Sequence, residues 1–133
     1  MSNQPTNRPN KQTSPQSELP IFSRTYDLLA WLTPMTQHFP RVHRHTITRR
    51  LLDAALNFLE ILAEANQLRG KARLDRLRAA DAELDKVRFY LRLAHQWQWL
   101  NMGQYEHVAR MVAEIGRLLG GWQKVTASQG ERA

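Results

Sequence analysis

The stretch Arg41-Val42-His43-Arg44-His45-Thr46-Ile47-Thr48-Arg49-Arg50 holds four arginines, two histidines and no acid. The spacing predicts that a helix begins within it. A helix N-terminus carries about +0.5 of an elementary charge, so each cation there costs roughly 0.3–1 kcal/mol. Asp53, Glu60 and Glu64 follow in the C-terminal half of the same helix, again against the dipole. A sequence that keeps this polarity reads as a positive patch held for an anionic partner. The competing reading is a solvated basic face.

Two further groups have the same character. Arg69, Lys71, Arg73, Arg76 and Arg78 face only Asp75, a local balance of 5 − 1 = +4. Lys86, Arg88 and Arg92 precede His95, Trp97 and Trp99, and Arg88, Arg92, His95 and Trp99 step by four, three and four, which places them on one helix face. Arginines with aromatics can clamp phosphates and stack exposed bases. Against this, Asp85 lies three residues before Arg88, within reach of an ordinary intrahelical pair. Trp97 is read as closing the end of the core.

Catalytic chemistry has no foothold. The histidines are His38, His43, His45, His95 and His107. His43 and His45 are two positions apart, about 200° around a helix, and form no facing metal pair. There is no Glu-x-x-His di-iron signature, no His-Glu-x-x-His zinc motif and no glycine-rich loop after a strand. The chain is expected to have no enzymatic activity, no metal and no cofactor. Base-reading motifs are missing too, so nucleic-acid binding would be phosphate-driven and steeply salt-dependent.

Composition agrees. The 133 residues suit one domain, and a formal charge of +7 suits a polyanionic partner, nucleic acid before an anionic membrane surface. No apolar run approaches the roughly 20 residues of a membrane span, and no signal-peptide core opens the chain. There is no cysteine, and a cytoplasmic location is the natural expectation.

The elements that must position these residues are all helical. Residues 1–19 are rich in Asn, Gln, Ser and Pro and read as a disordered tail; residues 126–133 read as a frayed end; residues 20–125 form the folded unit. The first helix runs from about Ser23 to His38, with Leu28, Leu32, Met35 and Phe39 as its stripe, a kink at Pro34 and a stop at Pro40. The second begins between Arg41 and Thr46 and runs to about Leu68, its seam Leu51, Ala55, Phe58, Leu62 and Ala65, with Gly70 as its stop. The third, about Lys71 to Gln98, buries Leu77, Ala80, Leu84, Val87, Leu91 and Ala94. The fourth opens on a capping box, Asn101 with Gln104, and a staple of Leu100 on Tyr105. Tyr105, Val108, Val112, Ile115, Leu119 and Trp122 form its seam. Short loops make sequential helices antiparallel, so the expected fold is an all-α, up-down-up-down four-helix bundle.

The fourth helix has a second stripe: Ala109, Ala113, Gly116 and Gly120. A glycine inside a helix costs about 1 kcal/mol relative to alanine. Two aligned with two alanines predict a backbone approaching closely, either from the same bundle or from a second subunit.

The series Phe39-Pro40-Arg41-x-His43, Leu84-x-x-Val87-Arg88-Phe89-Tyr90-Leu91-Arg92 and Ala113-Glu114-Ile115-Gly116-Arg117-Leu118-Leu119-Gly120-Gly121-Trp122 resembles the accessory variability determinant (Avd) proteins of diversity-generating retroelements, over roughly residues 20–125. Four-helix proteins encoded in ribosomal RNA intervening sequences are similar but match these runs less closely. The resemblance implies a homopentameric barrel of bundles with a positive surface. It implies as partners the reverse transcriptase, its template RNA and a DNA/RNA hybrid, in support of error-prone, adenine-directed cDNA synthesis, with no catalytic centre. Carried over by position, Arg88 and Arg92 match the family's paired arginines on the third helix, and Arg41 and His43 match the basic entry to the second. The stretch His95–Trp99 departs from the family pattern.

The residues expected to meet nucleic acid or polymerase are therefore Arg41, His43, Arg44, Arg49, Arg50, Arg73, Arg76, Arg88 and Arg92. Those expected at subunit or close helix packing are Ala109, Ala113, Gly116 and Gly120. The rival is a structural bundle that oligomerises or scaffolds protein partners, its charge serving solubility.

Overall fold

The structure, a computed structural model, describes residues 19–132. It has four helices: α1 (Pro20–Met35), α2 (Ile47–Asn66), α3 (Gly70–Gln96) and α4 (Met102–Arg132). Two short 3-10 turns, Thr36–His38 and Arg41–His43, join α1 to α2. Among the described residues there is no strand.

Cross-helix pairs give the topology. Asn57 and Glu64 of α2 meet Glu83 and Arg76 of α3, so one helix climbs as the other descends. His95 and Leu84 of α3 face Tyr105 and Gly116 of α4, and the carbonyl of Leu77 accepts from Gln123. Trp31 of α1 lies on His107 of α4, and Phe22 lies on Trp122. Each helix packs on its two ring neighbours, which makes an up-down-up-down four-helix bundle.

The seams read from the sequence form most of the core, with Met35, Tyr105 and Trp122 only partly buried against it. Leu51, Ala55, Phe58, Leu62 and Ala65 of α2 are buried, as are Leu77, Ala80, Leu84, Val87, Leu91 and Ala94 of α3. Val108, Val112, Ile115 and Leu119 complete the core from α4, and Leu28, Leu32 and Phe39 from α1 and the turn after it. Truncating such a leucine to alanine costs roughly 2–5 kcal/mol. The capping box forms in both directions: Asn101 N–H donates to Gln104 Oε1 at 2.9 Å, and Gln104 N–H donates to Asn101 Oδ1 at 2.8 Å.

Boundaries differ from the sequence reading in instructive ways. α2 begins only at Ile47, so Arg41, His43 and Arg44 precede it, and just Arg49 and Arg50 sit on its first turn. The clash between cations and dipole is correspondingly smaller than the sequence implied. Pro34 lies one residue before the end of α1, where the donor it lacks would have served only Ala30. Gly70 does not stop α2, which ends at Asn66; it opens α3 with a left-handed backbone, φ +58°.

α3 ends at Gln96, not Gln98. Gln98 N–H donates to the His95 carbonyl at 3.0 Å and Trp99 N–H to that of Ala94 at 2.8 Å. This is a Schellman closure with Gln98 in the left-handed position, φ +65°. A residue with a Cβ there costs about 1 kcal/mol. α4 continues to Arg132 and buries Thr126, past the expected bound at residue 125. The tail expected over residues 1–19 lies outside the described residues except for Leu19, which packs against the core.

Candidate nucleic-acid interface

One end of the bundle gathers the two 3-10 turns, the start of α2 and the α3–α4 turn. Trp99 joins them: its ring lies 5.3 Å from that of Phe39 and stacks on that of His43, also at 5.3 Å. His43 thus ties the basic turn to the end of α3. Trp97 does not close the core as expected. It is 47% exposed, tilted against Trp99 at 5.2 Å, and Trp99 does the closing. Nor do Arg88, Arg92, His95 and Trp99 share a helix face, because α3 stops before Trp99. His95 instead stacks on Tyr105 at 4.4 Å, its Nδ1 3.3 Å from the Leu100 carbonyl.

Arg41 and Arg44 line a pocket of about 470 Å³ between the end of α1, the turns and the start of α2, together with Thr33, Phe39 and Thr48. Among the described residues, no side chain caps the N-terminus of α2, and the buried Thr48 hydroxyl has no hydrogen-bond partner. Among the described residues, Arg41, Arg44, Arg50 and Arg92 have no carboxylate within 4.0 Å. Arg49 has one, Asp53 at 3.6 Å, on an exposed surface. Positive charge at this end is therefore available to an outside anion.

The opposite end is as rich in cations, and apart from Arg69, which has no carboxylate within 4.0 Å among the described residues, they are engaged differently. Arg73 Nε donates to the Ala65 carbonyl at 3.0 Å, which also accepts from the Leu68 N–H at 3.0 Å, and its Nη2 donates to the Asn66 carbonyl at 3.3 Å, so it ties down the C-terminus of α2. Its guanidinium also lies 5.6 Å over the Trp122 ring. Arg76 Nε lies 3.2 Å from Glu64, an ion pair by distance without hydrogen-bond alignment. Lys71 and Arg78 share Asp75. Arg73 and Arg76 are held inside the protomer, unlike Arg41 and Arg44.

A third surface, a groove of about 630 Å³, runs between α3 and α4. Arg88, Phe89 and Arg92 border it from α3, Arg117 from α4, and Ala109, Ala113 and Gly116 line it. Arg88 pairs with Asp85 at 2.7 Å, and its Nη2 lies 2.5 Å from where a Cβ on Gly116 would be. What approaches Gly116 is thus a side chain, not a backbone. At Gly120 a Cβ would meet nothing within 4 Å. Arg117 hydrogen-bonds Glu114 at 2.7 Å, which holds the Glu114 carboxyl below its usual range and raises the guanidinium's own pKa.

These surfaces acquire a context from one comparison: a family model described as bAvd-like matches residues 19–126. The chain belongs to the bAvd-like family. No curated protein matches it. The match spans α1 to α3 and most of α4, so the bAvd-like unit is the bundle itself, and the family is one of accessory, non-catalytic proteins. Among the described residues of this bAvd-like chain, no cluster of His, Asp and Glu has metal-site geometry, and no helix is long and apolar enough to cross a membrane.

Three site features escaped the sequence reading. Phe89, 65% exposed, stands off the Val87–Leu91 seam, a signal present in the periodicity. Thr48 beside the arginine pocket gave no signal. The Trp97–Trp99 division depends on one left-handed residue, which only the chain path reveals.

Proposed function

We propose that this bAvd-like chain is the non-catalytic accessory subunit of a diversity-generating retroelement. In this reading it assembles as a homopentamer and binds the reverse transcriptase together with template RNA or a DNA/RNA hybrid. It supports mutagenic cDNA synthesis by holding those partners. The observation that carries the binding is the end of the bundle where, among the described residues, Arg41, Arg44 and Arg50 have no carboxylate within 4.0 Å, in a chain of formal charge +7. Such guanidinium groups lose little on meeting phosphate, because they break no internal pair. Arg92, on the α3–α4 groove, adds a further cation without a carboxylate within 4.0 Å among the described residues; Arg88 contributes less, since Asp85 already neutralises it.

The α3–α4 groove supports self-association. Ala113, which lines it, is exposed, as is Gly120 further along α4, where a Cβ would meet nothing within 4 Å among the described residues. A neighbouring subunit seated there would meet Phe89 and the small-residue stripe.

The test is co-purification of the chain with its reverse transcriptase and template RNA, scored against a variant lacking Arg41, Arg44 and Arg50. Retention of RNA must fall in the variant and recover as salt is lowered. Unchanged retention of both partners would leave the scaffold reading in its place. Gly116→Leu tests the groove: an intact helical fold with unchanged oligomer mass by size-exclusion chromatography with light scattering excludes a subunit contact there.

A further inference from the structure

We propose that the Trp97–Trp99 turn and the arginine pocket beside it form a binding site for single-stranded nucleic acid, with the Trp97 ring as platform for an unpaired base and Arg41 and Arg44 as the phosphate clamp. This rests on the nucleic-acid part of the reading above and adds a specific recognition chemistry to it.

The Trp97 ring is an aromatic surface offered to solvent and held in place. The two Schellman hydrogen bonds and the left-handed Gln98 send Trp97 outward and Trp99 inward. Strain of this kind at a non-glycine residue persists where surrounding structure over-determines it, and such positions cluster at binding sites. Trp97 leans on Trp99, which is itself fixed by Phe39 and His43. Little side-chain freedom is left to lose when a base stacks on it. Its sequence neighbours Gln96 and Gln98 are exposed and uncharged, so nothing there repels a phosphate chain.

Phe39 links the two halves of the site, since it touches Trp99 and also lines the pocket of Arg41 and Arg44. That pocket sits at the start of α2, where among the described residues no side chain caps the N-terminus and the buried Thr48 hydroxyl, which lines the pocket, has no partner. Backbone donors and a positive dipole end suit an anionic oxygen. Four arginines and three histidines fall within residues 36–50, with no carboxylate among them. Phosphate on one side of Phe39 and an aromatic face on the other is the pairing that single strands require, because duplex bases are already stacked. A protein partner is the other candidate occupant, through the exposed Val42 and Met102; the charge at this end favours nucleic acid.

The experiment compares, at fixed moderate salt, the affinity of the full chain for a fluorescein-labelled single-stranded RNA and for the same RNA annealed to its complement. Trp97→Ala is expected to weaken single-strand binding about 5- to 100-fold and to leave duplex binding unchanged. The joint removal of Arg41 and Arg44 weakens both. Equal losses for both RNAs with Trp97→Ala, or no loss, overturn the proposal while the phosphate-driven reading stands. Intact RNA affinities with a lowered oligomer mass or lost polymerase binding assign Trp97 to a protein contact and overturn it too. Wild-type protein that binds neither RNA overturns the nucleic-acid reading and this site with it. If Trp97→Ala unfolds, Trp97→Phe decides. Single-stranded RNA must quench tryptophan fluorescence in the wild type and clearly less in Trp97→Phe; equal quenching in the two sinks the stacking role.

Discussion

The two ends of the bundle hold similar numbers of arginines and engage them to different extents, with one exception at each: among the described residues Arg69 at the α2–α3 turn has no carboxylate within 4.0 Å, and Arg49 at the other end has Asp53. At the α2–α3 turn, Arg73 closes the C-terminus of α2 and covers Trp122, Arg76 pairs with Glu64, and Lys71 and Arg78 share Asp75. At the other end Arg41, Arg44 and Arg50 find no carboxylate among the described residues. The difference teaches that local charge in the sequence does not tell which cations are free to meet an outside anion, because a paired guanidinium must first give up what holds it.

The largest effect that would sharpen this contrast is on stability. Arg73→Ala removes two hydrogen bonds from a charged donor to backbone and a cation–π contact, and should cost about 2 kcal/mol. Thermal unfolding should show a drop of several degrees. Joint replacement of Arg41 and Arg44 by alanine should stay within about 0.5 kcal/mol of wild type, as for other surface changes. Equal Tm losses at the two ends would erase the distinction.

An intermediate effect concerns salt. Each phosphate contact to a single strand adds about 0.7 to the slope of log K against log salt, so removing Arg41 and Arg44 should lower that slope by roughly 1.4. Removing Arg76 and Arg78 together should leave it nearly unchanged. A matching fall from the second pair would show that paired cations bind as well as free ones.

The smallest effect lies between the ends, at Glu114 on α4. Its carboxyl is held below the usual glutamate range, first by the Arg117 hydrogen bond. A lowered folded pKa gives stability that is present above the ordinary glutamate value and lost as pH falls through the folded one. Glu114→Gln should therefore slightly flatten the acid limb of a stability–pH profile and change nothing at neutral pH, since the pair is solvent-exposed. A sizeable change at neutral pH would mean the pair also supports the groove.

Much of the fold was legible because its signals are local and periodic. Seams of apolar residues at steps of three and four became the core, and the Asn101–Gln104 box formed as spelled. Which cations have partners was legible only in part. Of the arginines expected at the interface, Arg41 and Arg44 have no carboxylate within 4.0 Å among the described residues, whereas Arg73, Arg76 and Arg88 have partners in the protomer. Arg88 was the readable case, since Asp85 precedes it by three residues. Arg73 was not, because its acceptors lie on another helix.

From the sequence alone came the number of helices, the faces they bury, the net charge and the family resemblance, because each depends on residue type and short-range spacing. Tertiary structure alone decided which cations are engaged, where Trp97 and Trp99 part, and that a side chain rather than a backbone fills the space over Gly116. The reason is geometric. A guanidinium reaches several ångströms from its Cα, so its partner depends on which helix lies beside it, and periodicity along one strand of sequence does not encode that neighbour.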